Sequence, residues 1–160
     1  MMNEDVSNRA VDVLLVEDDD GDVLMTREAF AHFNIRNPLH VVGDGDKALQ
    51  FLHRDGEYSD APRPGLILMD LNLPRRGGLE VLAEVKQDPE LRIIPVVILT
   101  TSRAEEDVLR SYAQHANAYI SKPVDFDRFI AVIGQIDGFF LTLVQLPTAQ
   151  LNWDGGFRSS

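Results

Sequence analysis

GLILMDLNLPRRGG, residues 65–78, holds four apolar residues, then an aspartate, then a turn closed by proline and paired glycines. The continuous run Leu66, Ile67, Leu68 and Met69 marks a strand buried on both faces, as strands are inside a parallel sheet. Asp70 therefore stands at the carboxyl end of a central strand, the end where ligands bind in open α/β sheets. A carboxylate there is a nucleophile, a metal ligand or the cap of the next helix.

The segments on either side repeat the same alternation. Upstream, the apolar run at 11–16 (VDVLLV) stops at Glu17, Asp18, Asp19 and Asp20. A helical pattern follows from Asp22, with Val23, Thr26, Phe30 and Phe33 on one face and Asp20 and Asp22 as candidate caps. Residues 39–42 (LHVV) form a second strand, and GDGD at 43–46 turns into a helix burying Ala48, Leu49, Phe51 and Leu52. Gly56 is the expected left-handed residue after that helix. Downstream, a helix at 79–87 presents Leu79, Leu82 and Val85, and IIPVVIL at 93–99 makes a fourth strand ending on Thr100, Thr101 and Ser102. A short polar helix at 105–114 opens with acids, which the helix dipole favours. AYIS at 118–121 is the fifth strand, followed at once by Lys122 and Pro123, and residues 126–140 repeat phenylalanine and isoleucine at helical spacing.

Five strands alternating with five helices require right-handed crossovers and a parallel sheet covered on both faces. The expected fold is flavodoxin-like and doubly wound, with strand order 2-1-3-4-5. That order sets the tips of strands one, three, four and five side by side and gathers Glu17, Asp18, Asp70, Thr100 and Lys122.

Composition narrows the function. A net charge of −11 and a pI near 4.6 oppose binding to phosphate backbones, so nucleic acid is not an expected partner. The absence of cysteine excludes disulfides and thiolate chemistry. No apolar run approaches the ~20 residues of a membrane span, and the start MMNEDVSNRA lacks the pattern of a signal peptide. A cytoplasmic protein without membrane association is expected.

Clustered carboxylates repel one another unless cations intervene. Lys122 supplies one cation, and a hard divalent ion held by oxygen ligands, Mg²⁺, suits the remainder. An aspartate kept ionised in this way is equipped to attack phosphorus, a reaction that needs mostly positioning and charge neutralisation.

Four ordered motifs, LLVEDD, ILMDLNLPRRGGLE, PVVILTTS and AYISKP, resemble those of two-component response-regulator receiver domains. The resemblance implies that Asp70 is the phosphoacceptor, that Glu17 and Asp18 are the acidic pair, and that Asn72 lends its backbone carbonyl to Mg²⁺. It also implies that Thr100 is the switch hydroxyl, Tyr119 its aromatic partner, and Lys122 the phosphate-binding lysine before a cis Pro123. Glu17 stands where aspartate is commoner and reaches further, acting through water; Thr101 replaces the small residue usual after the switch threonine. Such a protein takes its phosphoryl group from a histidine kinase. It assists its own phosphorylation and dephosphorylation, and is otherwise no enzyme.

Rival readings fail on particular residues. Asp18, Asp20 and Asp22 mimic an EF-hand, but Val23 stands where that loop needs glycine and Ala29 where it needs glutamate. A haloacid-dehalogenase-like phosphatase wants an acid two residues after its nucleophile, and Asn72 cannot transfer protons. The four histidines have no ligand spacing.

The receiver domain is expected to span 10–147, with an extended C-terminal segment and flexible termini at 1–9 and 148–160. The 37 residues after Pro123 leave no room for an output domain. The ending at 138–147 (GFFLTLVQLP) resembles the tails of single-domain regulators paired with phytochrome-type kinases. Leu141, Leu143, Val144 and Leu146 exceed what one helical stripe buries, so with Phe139 they are candidates for a homodimer interface, the alternative being an extended fifth helix that packs this segment on its own domain. Burying the four aliphatic ones on both chains is worth on the order of 10–20 kcal/mol gross. Association costs roughly 4–15 kcal/mol of that.

Overall fold

The computed structural model describes residues 11–33, 35–101, 118–122, 127, 128 and 131. Five parallel strands form one sheet in the order β2-β1-β3-β4-β5, where β1 is Val13–Val16, β2 Leu39–Val42, β3 Leu66–Asp70, β4 Val96–Thr100 and β5 Ala118–Ser121. The helices are α1 (Asp20–His32), α2 (Gly45–His53) and α3 (Gly78–Gln87), with a 3-10 turn at Gly56–Tyr58. The flavodoxin-like order is as expected. Of the five expected helices three are described; the helix at 105–114 lies outside the described residues, and of 126–140 only Asp127, Arg128 and Ala131 are described, with helical backbone and exposed.

Strand β3 pairs with β1 on one side, in a register that runs to Met69 opposite Val16, and with β4 on the other, in a register that runs to its last residue, Asp70 opposite Leu99. All five β3 residues are buried, so this strand lies in the middle of the sheet as its unbroken apolar run requires. Side chains alternate across the sheet with a period of two. Leu14, Val16, Ile67, Met69, Val96 and Ile98 face α2 and α3, whose Leu49, Leu52, Val81, Leu82 and Val85 complete that core. Val13, Leu15, Leu66, Leu68, Val97, Leu99 and Ile120 form the opposite core with Phe30 of α1.

Several boundaries depart from the sequence reading, each for a local reason. The fourth strand begins at Val96, because Pro95 has no N–H to give the ladder; the residues before it form a turn in which Ile93 is 80% exposed. Helix α1 starts at Asp20, and neither Asp20 nor Asp22 caps it: the capping position is Asp19, whose side chain makes no cap hydrogen bond. Helix α2 is closed by Arg54, not by Gly56. Arg54 takes the left-handed conformation at φ 60°, and the Asp55 N–H reaches back to the Gln50 carbonyl at 2.9 Å, as a Schellman ending requires. Gly56 is also left-handed but opens the 3-10 turn. On α3 the fully buried stripe is Val81, Leu82 and Val85, with Leu79 only partly covered. Among the described residues no helix is long and apolar enough to cross a membrane.

Candidate functional site

The tips of β1, β3, β4 and β5 converge at one edge. Asp70 ends β3, Glu17 follows β1, and Lys122 follows β5. Counting by alternation from Leu15, Leu68 and Ile120, these three residues fall on the α1 side of the sheet, whereas Thr100 and Tyr119 follow Ile98 to the α2–α3 side. The strand registers put Thr100 opposite Ser121 and Ile98 opposite Tyr119. The Lys122 N–H donates to the Thr100 carbonyl at 2.6 Å, which ties the turn after β5 to the end of β4.

Glu17 is 2% exposed and Asp70 5%, an expensive place for two carboxylates. Lys122 offsets that cost. Its ammonium donates to Glu17 Oε1 and to Asp22 Oδ2, each at 2.8 Å, and stands 3.4 Å from Asp70 Oδ2. The other oxygen of Glu17 accepts from the Asp19 N–H at 3.2 Å, and Asp70 Oδ1 accepts from the Asn72 N–H at 3.4 Å.

Burial pushes the Asp70 carboxyl above its ordinary range, and the Asp18 charge adds to the rise; Lys122 and the Asn72 N–H offset only part of it. Burial likewise raises Glu17, with the Lys122 hydrogen bond opposing and the Asp70 charge adding. For Lys122 burial disfavours the charge, but the bonds to Asp22 and Glu17 and the Asp70 charge outweigh it and hold the ammonium well above the usual lysine range. Lys122 is thus a fixed cation.

Asp18 is exposed at the rim, yet it supplies the third member of an oxygen cluster. One carboxylate oxygen from each of Glu17, Asp18 and Asp70 lies within 4.8 Å of the others. Three hard oxygens at that spacing, one of them open to water, fit a divalent cation that keeps several waters. Behind the cluster, Gly78 lets α3 start against β3: a Cβ there would come within 2.7 Å of the Asp70 carbonyl.

The structure therefore brings together Glu17, Asp18, Asp70 and Lys122 from the sequence reading, and it places Thr100, fully buried, at the adjoining strand end. Tyr119 is half-buried against the α2–α3 core. Pro123, Phe139, Leu141, Leu143, Val144 and Leu146 lie outside the described residues. Asp22 is the residue that the sequence reading missed. It appeared there as a helix cap or a calcium mimic, whereas its carboxylate bonds a lysine 100 positions away. The available signal was its place in the first turn of α1, level with the acidic pair.

Comparison with known families decides the assignment: the response regulator receiver domain matches residues 13–134. The chain belongs to the response regulator receiver domain family. It is similar to the response regulator Rcp1 of Synechocystis, with 45% identity over 145 residues, 91% of this chain and 99% of that one. Among solved structures, the phosphorylated cyanobacterial phytochrome response regulator RcpA superposes with a TM-score of 0.68 at 44% identity, covering 79% of this chain and 91% of that one. The Mn²⁺-bound form of Rcp1 gives a TM-score of 0.69 at 47% identity, covering 86% and 99%. The receiver's place is in two-component signal transduction, where a histidine kinase is the partner.

Proposed function

We propose that Asp70 accepts a phosphoryl group from a histidine kinase and that the chain changes conformation in response. The observation that carries this reading is the position of Asp70 at the buried tip of the central strand, 3.4 Å from the Lys122 ammonium. An Asp70 oxygen attacks phosphorus, the new O–P bond forms as the N–P bond of the donor phosphohistidine breaks, and the freed imidazole takes up a proton from solvent. Lys122 pairs with a phosphoryl oxygen as a point charge. Thr100, at the end of β4, offers its hydroxyl to another. Hydrolysis of the acyl phosphate at the same site returns the carboxylate, so the chain assists both its charging and its decay.

Glu17, Asp18 and Asp70, with the backbone carbonyl of Asn72, would hold Mg²⁺, Glu17 reaching it through water. The bound cation supplies neutralisation of the phosphoryl oxygens. The clustered carboxylate oxygens support this set, and the Mn²⁺ described for the Rcp1 structure supports a divalent ion. The similarity to phytochrome response regulators favours a phytochrome-type kinase as donor. A homodimer through Phe139, Leu141, Leu143, Val144 and Leu146 and a cytoplasmic location complete the reading.

Mass spectrometry after incubation with acetyl phosphate and Mg²⁺ tests it. Wild type should gain one base-labile phosphoryl group and Asp70→Asn none. A variant labelled elsewhere at the wild-type rate would remove Asp70 from the role.

A further inference from the structure

An ammonium group has three hydrogens to donate. Lys122 gives two of them to carboxylate oxygens at 2.8 Å, Glu17 Oε1 from the end of β1 and Asp22 Oδ2 from the first turn of α1. The third partner, Asp70 Oδ2, is at 3.4 Å, an ion-pair distance longer than a well-formed charge-assisted hydrogen bond. The lysine side chain is 10% exposed and that of Asp22 34%, so the pair closes the α1 side of the site at its rim. The Lys122 backbone N–H is fixed separately, on the Thr100 carbonyl.

We propose that Asp22 is a positioning residue for phosphoryl transfer: with Glu17 it fixes the Lys122 ammonium so that its remaining N–H points at Asp70 and meets the incoming phosphoryl oxygen. This rests on the assignment of Asp70 as acceptor and Lys122 as its phosphate-binding cation. A lysine side chain has four rotatable carbons and a compact charge that accepts many directions. One acceptor leaves it free to swing about that contact; two acceptors on different secondary-structure elements define its position. Asp22 stays within the helix dipole's favourable first turn while doing so, which offsets part of the cost of one more carboxylate near the site. The opposite role is also physically coherent, since the Asp22 charge repels a phosphoryl dianion and competes for the same ammonium. The two roles predict opposite signs.

The test is the initial rate of labelling by acetyl phosphate in saturating Mg²⁺ for wild type, Asp22→Ala, Asp22→Asn, Lys122→Ala and the Asp22→Ala/Lys122→Ala double variant. Asp22→Ala should slow labelling about tenfold, the scale of one lost charge-assisted hydrogen bond. Asp22→Asn keeps an acceptor oxygen and should stay within about threefold of wild type. In the double variant the Asp22 effect should vanish, because a residue that acts through Lys122 has nothing left to position. Thermal midpoints, read alongside, separate this from a general loss of folding. Faster labelling in Asp22→Ala, or an equal slowing with and without Lys122, overturns the proposal. If Lys122→Ala itself labels like wild type, it is the assignment of Lys122 that fails, and the role of Asp22 fails with it.

Discussion

The Lys122 ammonium lies 2.8 Å from Glu17 Oε1 although 105 positions separate the two residues, and this contact joins the ends of β1 and β5 across the top of the sheet. Both partners are nearly enclosed, at 10% and 1% side-chain exposure. Removing either charge alone would strand the other in a poorly solvated place, so their effects are expected to be strongly coupled.

Asp18→Ala should weaken Mg²⁺ binding at least about tenfold, or roughly 1.4 kcal/mol, because the cluster loses the one carboxylate that reaches water. Fluorescence or calorimetric titration measures it. Unchanged affinity would take Asp18 out of the ligand set.

Metal-free stability should depend on pH through Asp70. Burial raises its folded pKa above the unfolded value, so its favourable contribution is complete below the unfolded pKa, near 4, and is lost as pH rises through the folded pKa. In EDTA at pH 7, Asp70→Asn should therefore show a higher urea midpoint than wild type. The gap should close as pH falls toward about 4. A gap that widens on acidification would contradict the sign.

Thr100→Ala should still be labelled on Asp70 but should uncouple labelling from the face that carries Tyr119. Thr100 and Tyr119 lie on adjacent strands on the α2–α3 side of the sheet, so a hydroxyl drawn toward the phosphoryl group changes the space beside the ring. Amide and ring NMR shifts around Tyr119 report it. The same phosphorylation-induced shifts in variant and wild type would argue for another route.

Gly45→Ala should destabilise the fold by about 1–3 kcal/mol, as overpacking does. A Cβ at Gly45 would strike the Arg76 backbone carbonyl in the loop after β3, and that loop is clamped to α2 by Arg76 Nε on Asp46 Oδ1 at 2.9 Å. Urea denaturation gives the cost. Mg²⁺ affinity should fall with it, since the same loop carries Asn72.

A chain ending at Gly138 should sediment as a monomer at tens of micromolar if the apolar tail builds the dimer, while the full chain sediments as a dimer. A dimer that survives truncation places the interface elsewhere, and a full-length monomer removes it.

Much of the site was legible because it follows from strand ends. Unbroken apolar runs identify β1, β3 and β4 as interior strands, right-handed crossovers restrict their order, and the residue that stops each run is then at the ligand-binding edge; Glu17, Asp18, Asp70, Thr100 and Lys122 all come from that reasoning. Local chemistry was less reliable at helix ends, where a single residue shifts the boundary. Arg54 takes a left-handed cap that glycine favours, because two returning hydrogen bonds, Arg54 N–H to Phe51 and Asp55 N–H to Gln50, offset its strain. Only the tertiary structure decided the partner of Asp22. Periodicity places a residue on a face of its own helix, but the distance from α1 to the turn after β5 depends on how the helix packs against Leu15, Leu68 and Ile120, and a contact across 100 positions has no local signature in the chain.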